Sequence, residues 1–358
     1  MRVYVVGVNY KTTPVEIREK FSIEPDEYEK MLLAIKRIEG ISECAILSTC
    51  NRTEIHIFSE ASPLDTANIE KIFCHLKGQE IYIMKKYFYV YEGINAVRHI
   101  IKVASGMDSM ILGEDQILGQ FRKAYAISIK YGTSQAVLNT LSRLAVTSSK
   151  KIKTRSLANK KVCSVTGQVG QLLGEQYGSN LAGKSVLVIG SGEIGRAVLK
   201  MLLETGIKNI LITKRNMVVT QNIAQENNFY NTIDYNDRYS YIDQADIIIG
   251  ATSSPHYTIT SDILSESMKD KDKKHLFIDL AVPRDFDEAI EMLDNVRLYN
   301  IDQLKNIDSS GSDVGKLLDF DYINEQINCH IHEFIRWYNY RNTSMKTQNR
   351  DCCTGVTD

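Results

Sequence analysis

The sequence has no C-x-x-C pair, no apolar run approaching the length of a membrane span, and no excess of positive charge. Each absence excludes something. Seven cysteines, at positions 44, 50, 74, 163, 329, 352 and 353, form no regular framework. They read as reduced thiols of a cytoplasmic protein and not as a disulfide scaffold. Without about 20 consecutive apolar residues, no transmembrane helix and no membrane partner is expected. The N-terminus opens on the strand pattern Val3-Tyr4-Val5-Val6, which is not the apolar core of a signal peptide. A formal charge of −1 rules out a globally basic nucleic-acid binder, but not a local basic patch. None of the histidines stands at ligand spacing from cysteines or acids, so no metal site is expected.

What is present is a chain of 358 residues with ordinary globular composition, long enough for two or three domains. Strand patterns at 2–9, 41–47, 54–58 and 82–90 alternate with helix patterns at 25–37 and 65–76. That order, β-α-β-β-α-β, is the order of a ferredoxin-like unit. Helix patterns follow at 94–103, 114–131 and 135–153. From 184 onward, short continuous apolar strands (184–189, 210–212, 245–250, 276–280) alternate with helices, as in a parallel sheet covered on both faces. A last helix is expected at 323–340, with Ile327, Ile331, Phe334, Ile335 and Tyr338 on one apolar face. The polar residues 341–358 read as a disordered tail. The predicted fold class is a multidomain α/β protein. A ferredoxin-like α+β catalytic domain with added helices covers 1–155, a Rossmann domain 156–302, and a C-terminal helix with its tail 303–358.

Two sites stand out. Leu47-Ser48-Thr49-Cys50-Asn51-Arg52-Thr53-Glu54 places one cysteine where a strand pattern breaks into a polar turn. Thr49, Asn51 and Arg52 supply donors and a fixed positive charge, a setting that favours the thiolate, which is the nucleophilic form. The plainer alternative is a small buried hydrophobe. The second site is Ile189-Gly190-Ser191-Gly192-Glu193-Ile194-Gly195, where a G-x-G-x-x-G follows a predicted strand and opens a predicted helix. That context suits a dinucleotide pyrophosphate at the helix N-terminus. An NAD site would carry an acid at the end of the next strand. Residues 207–216 contain none and read Thr213-Lys214-Arg215 instead, which favours NADPH. A third feature is a run of six cations without an acid (Lys150, Lys151, Lys153, Arg155, Lys160, Lys161), either a solvated face or a contact for a phosphate backbone.

These motifs, with Ala104-Ser105-Gly106-Met107-Asp108-Ser109-Met110, with Gly113 to Gln120 and with Asp279-Leu280-Ala281-Val282-Pro283-Arg284-Asp285, resemble the glutamyl-tRNA reductase family over roughly residues 1–305. The resemblance implies the first step of tetrapyrrole synthesis from glutamate. The Cys50 thiolate would attack the ester of glutamyl-tRNA, and the resulting thioester would be reduced with NADPH to glutamate-1-semialdehyde. It also implies that Thr49, Asn51, Arg52, Ser109, Glu114, Asp115, Gln116 and Gln120 surround the glutamyl group. Arg52 would grip the carboxylate and Glu114 the α-ammonium. His99 matches an acid–base position of the family, the alternative being a structural histidine. Glutamate-1-semialdehyde aminomutase is the implied recipient of the product.

The family's long spinal helix and dimerisation helices are represented here by a short C-terminal region. The expectation is therefore the remnant of a truncated dimerisation domain, and a monomer or a weak homodimer. Readings from other classes are an acyl-CoA-type reductase or aldehyde dehydrogenase, and a catalytically impaired homologue that keeps NADP binding.

Overall fold

The computed structural model describes residues 1–60, 63–109, 116–156, 165–214, 230–304 and 319–353, with side chains of the last helix described to 344. The chain forms two compact units. One comprises Met1–Pro14, Ile23–Asn159 and Val314–Asp358, the other Val15–Ser22 and Lys160–Asp313.

The first unit is built on four antiparallel strands, β1 (Val3–Asn9), β2 (Ile41–Thr49), β3 (Arg52–Ser59) and β4 (Tyr89–Glu92), in the order β2-β3-β1-β4. With helices α1 (Tyr28–Lys36) and α2 (Thr66–Leu76) between them, this is the ferredoxin-like arrangement that the element order predicts. Asp65 caps α2 through the Ala67 amide. The strand expected at 82–90 is corrected: α3 (Ile81–Met84) and a 3₁₀ turn (Lys85–Tyr87) occupy most of it, and only Tyr89–Glu92 joins the sheet. Tyr82 is 77% exposed there, so its aromatic character reflects no sheet packing.

Helices α4 (Gly93–Ala104), α5 (Gln116–Lys130) and α6 (Ala136–Ser156) add a second layer to this unit. They share one core in which Ala96, Val97, Ile100, Phe121, Leu138, Leu141 and Ala145 pack together. The start of α6 is fixed by a side chain from the sheet. The buried Glu43 carboxylate in β2 accepts from the backbone amides of Gln135, Val137 and Leu138 at 2.8–3.0 Å. It satisfies orphan donors of the first turn and meets the positive end of the helix dipole.

The last helix of the chain packs into the same core through Ile323, Ile327, Ile331, Phe334 and Tyr338. The sequence showed that apolar face but not its cover. The helix spans Phe320–Cys353 and so continues past residue 341, where the sequence suggested disorder. Once a helix is nucleated, each added residue costs little, and polarity alone does not stop it.

The second unit holds six parallel strands: β5 (Ser185–Ile189), β6 (Asn209–Lys214), β7 (Asn231–Asp234), β8 (Ile247–Gly250), β9 (His275–Asp279) and β10 (Val296–Asn300). Their order is β10-β9-β8-β5-β6-β7. This is the doubly wound Rossmann order, with its reversal between β5 and β8. The outer strands β7 and β10 escaped the sequence reading because edge strands are half exposed and lack the continuous apolar run of the central ones. Helix α7 (Val165–Tyr177) was also missed, and α8 (Glu193–Glu204) follows β5 as expected. Residues 15–22, inside the expected first domain, pack with this unit: Arg18 makes two bonds to Asp302, at 3.1 and 3.2 Å. Among the described residues, no helix is long and apolar enough to cross a membrane.

Glu43 yields a prediction. Glu43→Ala strips three buried amides of their acceptor and should lower the stability of the first unit by about 3 kcal/mol. Urea unfolding followed by circular dichroism reads this directly, and an unchanged midpoint would remove Glu43 from the list of helix-fixing groups.

Candidate active site

Cys50 and Asn51 form the two-residue turn that joins β2 to β3, whose pairing ends at Thr49 and Arg52. No non-glycine residue among those described takes a positive φ, so a side chain has to secure this turn. The Thr49 hydroxyl accepts the Asn51 and Arg52 amides, each at 3.2 Å. The Asn51 carbonyl in turn accepts the Tyr10 amide at 2.9 Å. The result is a fixed, partly exposed thiol. Cys44 and Cys74 differ: burial pushes their thiols up to about 12 and about 11. They remain protonated and unreactive near neutral pH.

Directly beyond the turn, β3 carries Arg52, Glu54 and His56 on one face. Simple alternation would put that face in water, yet all three residues are completely buried or nearly so. Their charges are met internally. Arg52 Nη1 lies 2.5 Å from Glu54 Oε1 and 3.2 Å from Asp108 Oδ2, while Nη2 donates to the Asp108 carbonyl. Lys11 donates to the other Asp108 oxygen. Arg52 is therefore held from within the protein, where the sequence suggested a side chain committed to substrate. Its Nε is buried with no partner, and so is the side-chain oxygen of the neighbouring Asn51. An unmet donor and an unmet acceptor on the two residues that follow Cys50 are groups that a ligand could satisfy.

Glu54 is the centre of this cluster. It accepts from Arg52, from Tyr89, from His99 Nε2 at 2.9 Å and from His56 Nε2 at 3.0 Å. Burial works against its charge. The His99 and Arg52 charges and the histidine hydrogen bonds outweigh it and hold the carboxyl well below the usual range. Burial also depresses His56, which is neutral near pH 7. A carboxylate can only accept, so His56 donates through Nε2, and its Nδ1 receives the Tyr125 hydroxyl at 2.9 Å. His99 is clamped between rings: Tyr91 is stacked at 4.5 Å and Tyr89 lies edge-on at 5.8 Å.

Of the residues singled out in the sequence, Arg52 and His99 bond to Glu54, Thr49, Cys50 and Asn51 form the turn that leads into Arg52, and Ser109 follows Asp108. The Ser109 carbonyl accepts the Tyr10 hydroxyl at 3.1 Å. Gln116 and Gln120 lie one turn apart on α5, both partly exposed. Glu114 and Asp115 lie outside the described residues. Glu54, Asp108, Lys11, His56 and Tyr89 complete the cluster and carry no expected role in the sequence. Glu54 and Asp108 sit inside the two motifs, which was the available signal.

In the second unit, Gly190 follows β5 with φ +112°, and a Cβ there would come within 2.5 Å of the Ala251 carbonyl oxygen. At Gly195 a Cβ would strike the Gly190 carbonyl oxygen at 2.0 Å, whereas Gly192 has open space beside it. Two positions thus need glycine for packing, and the third leaves room for a pyrophosphate at the start of α8, which Glu193 and Ile194 open. These residues fit a dinucleotide. Thr213, at 1% exposure, accepts the Gly190 amide at 3.2 Å and so shapes the loop. The Lys214 side chain and Arg215 lie outside the described residues. At the ends of β8 and β9, Asp279 accepts three backbone amides of the 281–286 loop, and Asp285 accepts the Thr252 amide. The motif at 279–285 therefore organises loops at the carboxyl edge of the sheet. Of the basic run, Lys150, Lys151, Lys153 and Arg155 end α6, with Arg155 over the Tyr322 ring at 4.3 Å. Lys160 and Lys161 lie outside the described residues.

Comparison with known proteins gives two family models, "Glutamyl-tRNAGlu reductase, N-terminal domain" over residues 6–156 and "Shikimate / quinate 5-dehydrogenase" over residues 172–307. The chain is 37% identical to the glutamyl-tRNA reductase of Thermodesulfovibrio yellowstonii over 86% of its length and 73% of that protein. It is 36% identical to that of Clostridium novyi, over 94% of this chain and 80% of that one. The solved glutamyl-tRNA reductase of Methanopyrus kandleri aligns at 26% identity and a TM-score of 0.49, over 94% of this chain and 80% of that chain.

The thiol environments predict a pattern of labelling. Iodoacetamide near neutral pH should modify Cys50 and leave Cys44 and Cys74 untouched, as read by peptide mass spectrometry. Modification of Cys44 ahead of Cys50 would contradict the environments described.

Proposed function

The chain belongs to the glutamyl-tRNA reductase family, and we propose that it carries out the reaction of that family through a thioester on Cys50. It is an enzyme of the first step of tetrapyrrole synthesis, with glutamyl-tRNA as substrate and glutamate-1-semialdehyde as product. The observation that carries the thioester reading is the partly exposed thiol on a fixed turn, next to a buried guanidinium with an unmet Nε–H.

In this reading the Cys50 sulfur attacks the ester carbonyl, a carbon–sulfur bond forms and the bond to the ribose oxygen breaks. A thioester accepts a hydride far more readily than an oxygen ester, which is the reason for a thiol here. His99 gives a proton to the departing ribose oxygen. Arg52 uses Nε–H and its remaining Nη2–H on the substrate carboxylate, while Glu54 and Asp108 hold the guanidinium in place. Glu114 takes the α-ammonium, and the unmet Asn51 oxygen offers it a further acceptor. Ser109, Gln116 and Gln120, with Glu114 and Asp115, complete the glutamyl pocket.

Gly190–Gly195 would hold NAD(P), which would supply a hydride to the thioester carbon as the carbon–sulfur bond breaks and Cys50 leaves as thiolate. The choice of NADPH rests on Lys214 and Arg215 and on the missing acid at the end of β6. The cations from Lys150 to Lys161 contact tRNA phosphates. A reaction on tRNA suits the cytoplasm, and an aldehyde this labile suits direct transfer to an aminomutase.

Two experiments test these assignments. In a single turnover with radiolabelled glutamyl-tRNA, Cys50→Ser should form no trapped acyl-enzyme and no aldehyde while still binding the dinucleotide, because a hydroxyl is not appreciably ionised at neutral pH. Turnover by the serine variant would sink the nucleophile assignment. The parent protein should prefer NADPH over NADH, and Arg215→Ala should narrow the gap. Equal use of both cofactors by the parent would overturn the reading of residues 213–215.

A further inference from the structure

We propose that Glu54 is a positioning residue that holds His99 as its Nε2–H tautomer, so that His99 exchanges protons with the substrate through Nδ1 alone. The proposal deepens the acid–base role given to His99 above and rests on it.

Glu54 has no solvent exposure and receives four side chains: Arg52 Nη1, the Tyr89 hydroxyl, His56 Nε2 and His99 Nε2. The permanently charged Arg52 guanidinium, buried with Glu54 and 2.5 Å from its Oε1, keeps the carboxyl ionised. Against a carboxylate 2.9 Å away, His99 Nε2 must carry hydrogen in both the neutral and the cationic ring. The lone pair of the neutral ring is then on Nδ1.

Nδ1 is differently placed. Among the described residues, the acid that faces it is Asp108, with Oδ2 at 3.6 Å, too long for a hydrogen bond. Both Asp108 oxygens already have cations, Lys11 on one and Arg52 on the other. Asp108 therefore attracts a cationic ring without fixing its proton. The imidazole cannot easily turn over and exchange its nitrogens, because Tyr91 is stacked on it and Tyr89 lies against it edge-on. His56 does not compete for the role: its Nε2 is held by the same carboxylate, its Nδ1 by Tyr125, and it has no exposure.

The proton balance of the first step follows. As the carbon–sulfur bond forms and the ester carbon–oxygen bond breaks, the hydrogen on Nδ1 of the cationic ring passes to the ribose oxygen. The ring is left neutral with Nε2–H still on Glu54. Fixing the far nitrogen in this way spares the reaction a search between tautomers.

The test is nitrogen NMR of the full chain labelled with ¹⁵N-histidine, at a pH where the imidazoles are neutral. The His99 signals are identified by their loss in His99→Asn. The expected result is a pyrrole-type Nε2 and a pyridine-type Nδ1, with Glu54→Gln giving a mixture or the opposite tautomer, since an amide cannot accept from every donor around it. In the same variant, acylation of Cys50 by glutamyl-tRNA should fall by about 100-fold, the low end of a general acid's contribution, with dinucleotide binding unchanged. An Nδ1–H tautomer in the parent overturns the proposal. So does a Glu54→Gln protein with the parent's tautomer, or one with the altered tautomer and undiminished acylation. If Glu54→Gln does not fold, the parent spectrum alone decides the tautomer. A parent protein with the expected spectrum that forms no acyl-enzyme would count against the reaction assigned above, not against the role of Glu54 on the ring.

Discussion

The first unit depends on one buried carboxylate. Glu54 lies on a sheet face that helices cover, at a place where an isolated charge would cost several kcal/mol. It is tolerated because Arg52, His56, Tyr89 and His99 all donate to it. These donors come from β3, β4 and α4, and Tyr125 of α5 extends the network through His56. The hydrogen bonds therefore tie sheet and helices together as well as setting the chemistry. A second acid, Asp108, balances Lys11 and the far side of Arg52. With the His99 ring neutral, the two cations and two carboxylates of the cluster balance, which is the condition for burying it.

This explains why the nucleophile sits on a turn and its supporting groups sit on strands and helices. Cys50 must meet a substrate and so lies at the accessible end of the β2–β3 hairpin. Arg52 and His99 must hold their orientations, so their outer atoms are packed and hydrogen-bonded. The unmet Nε of Arg52 and the unmet oxygen of Asn51 lie where these two demands meet. An unsatisfied buried polar atom weakens a fold, and it is tolerated most readily at a place where a ligand can satisfy it.

The second unit reaches a binding site by another route. Its cradle is made of backbone, with Gly190 and Gly195 allowing strand, loop and helix to approach within distances that no Cβ would permit. Side chains act one step back: Thr213 anchors the first glycine, and Asp279 gathers the amides of the neighbouring loop. A site built from backbone can be recognised from glycine spacing, because glycine is required for a local steric reason. A site built from a side-chain network cannot be recognised in that way.

That contrast separates what the sequence determined from what the tertiary structure decided. Periodicity and punctuation were sufficient for the ferredoxin-like order, the central parallel strands, the glycine loop and the turn that carries Cys50, since each depends on residues close together in the chain. The strand expected at 82–90 failed because tyrosine and valine suit a strand only where a neighbour accepts them, and β1 pairs with Tyr89–Glu92 alone. The apolar face of the last helix was legible, but its burial against the α4–α6 core was not, because a stripe does not name its partner. Arg52 could be singled out as a forked, permanent cation. Only the folded chain decided that Glu54 and Asp108, the second of them 56 residues away, already hold it. The alternation Arg52-Glu54-His56 would by itself put three polar side chains in water. The helices that cover them begin some forty residues later, and burial becomes affordable only when all the partners arrive together.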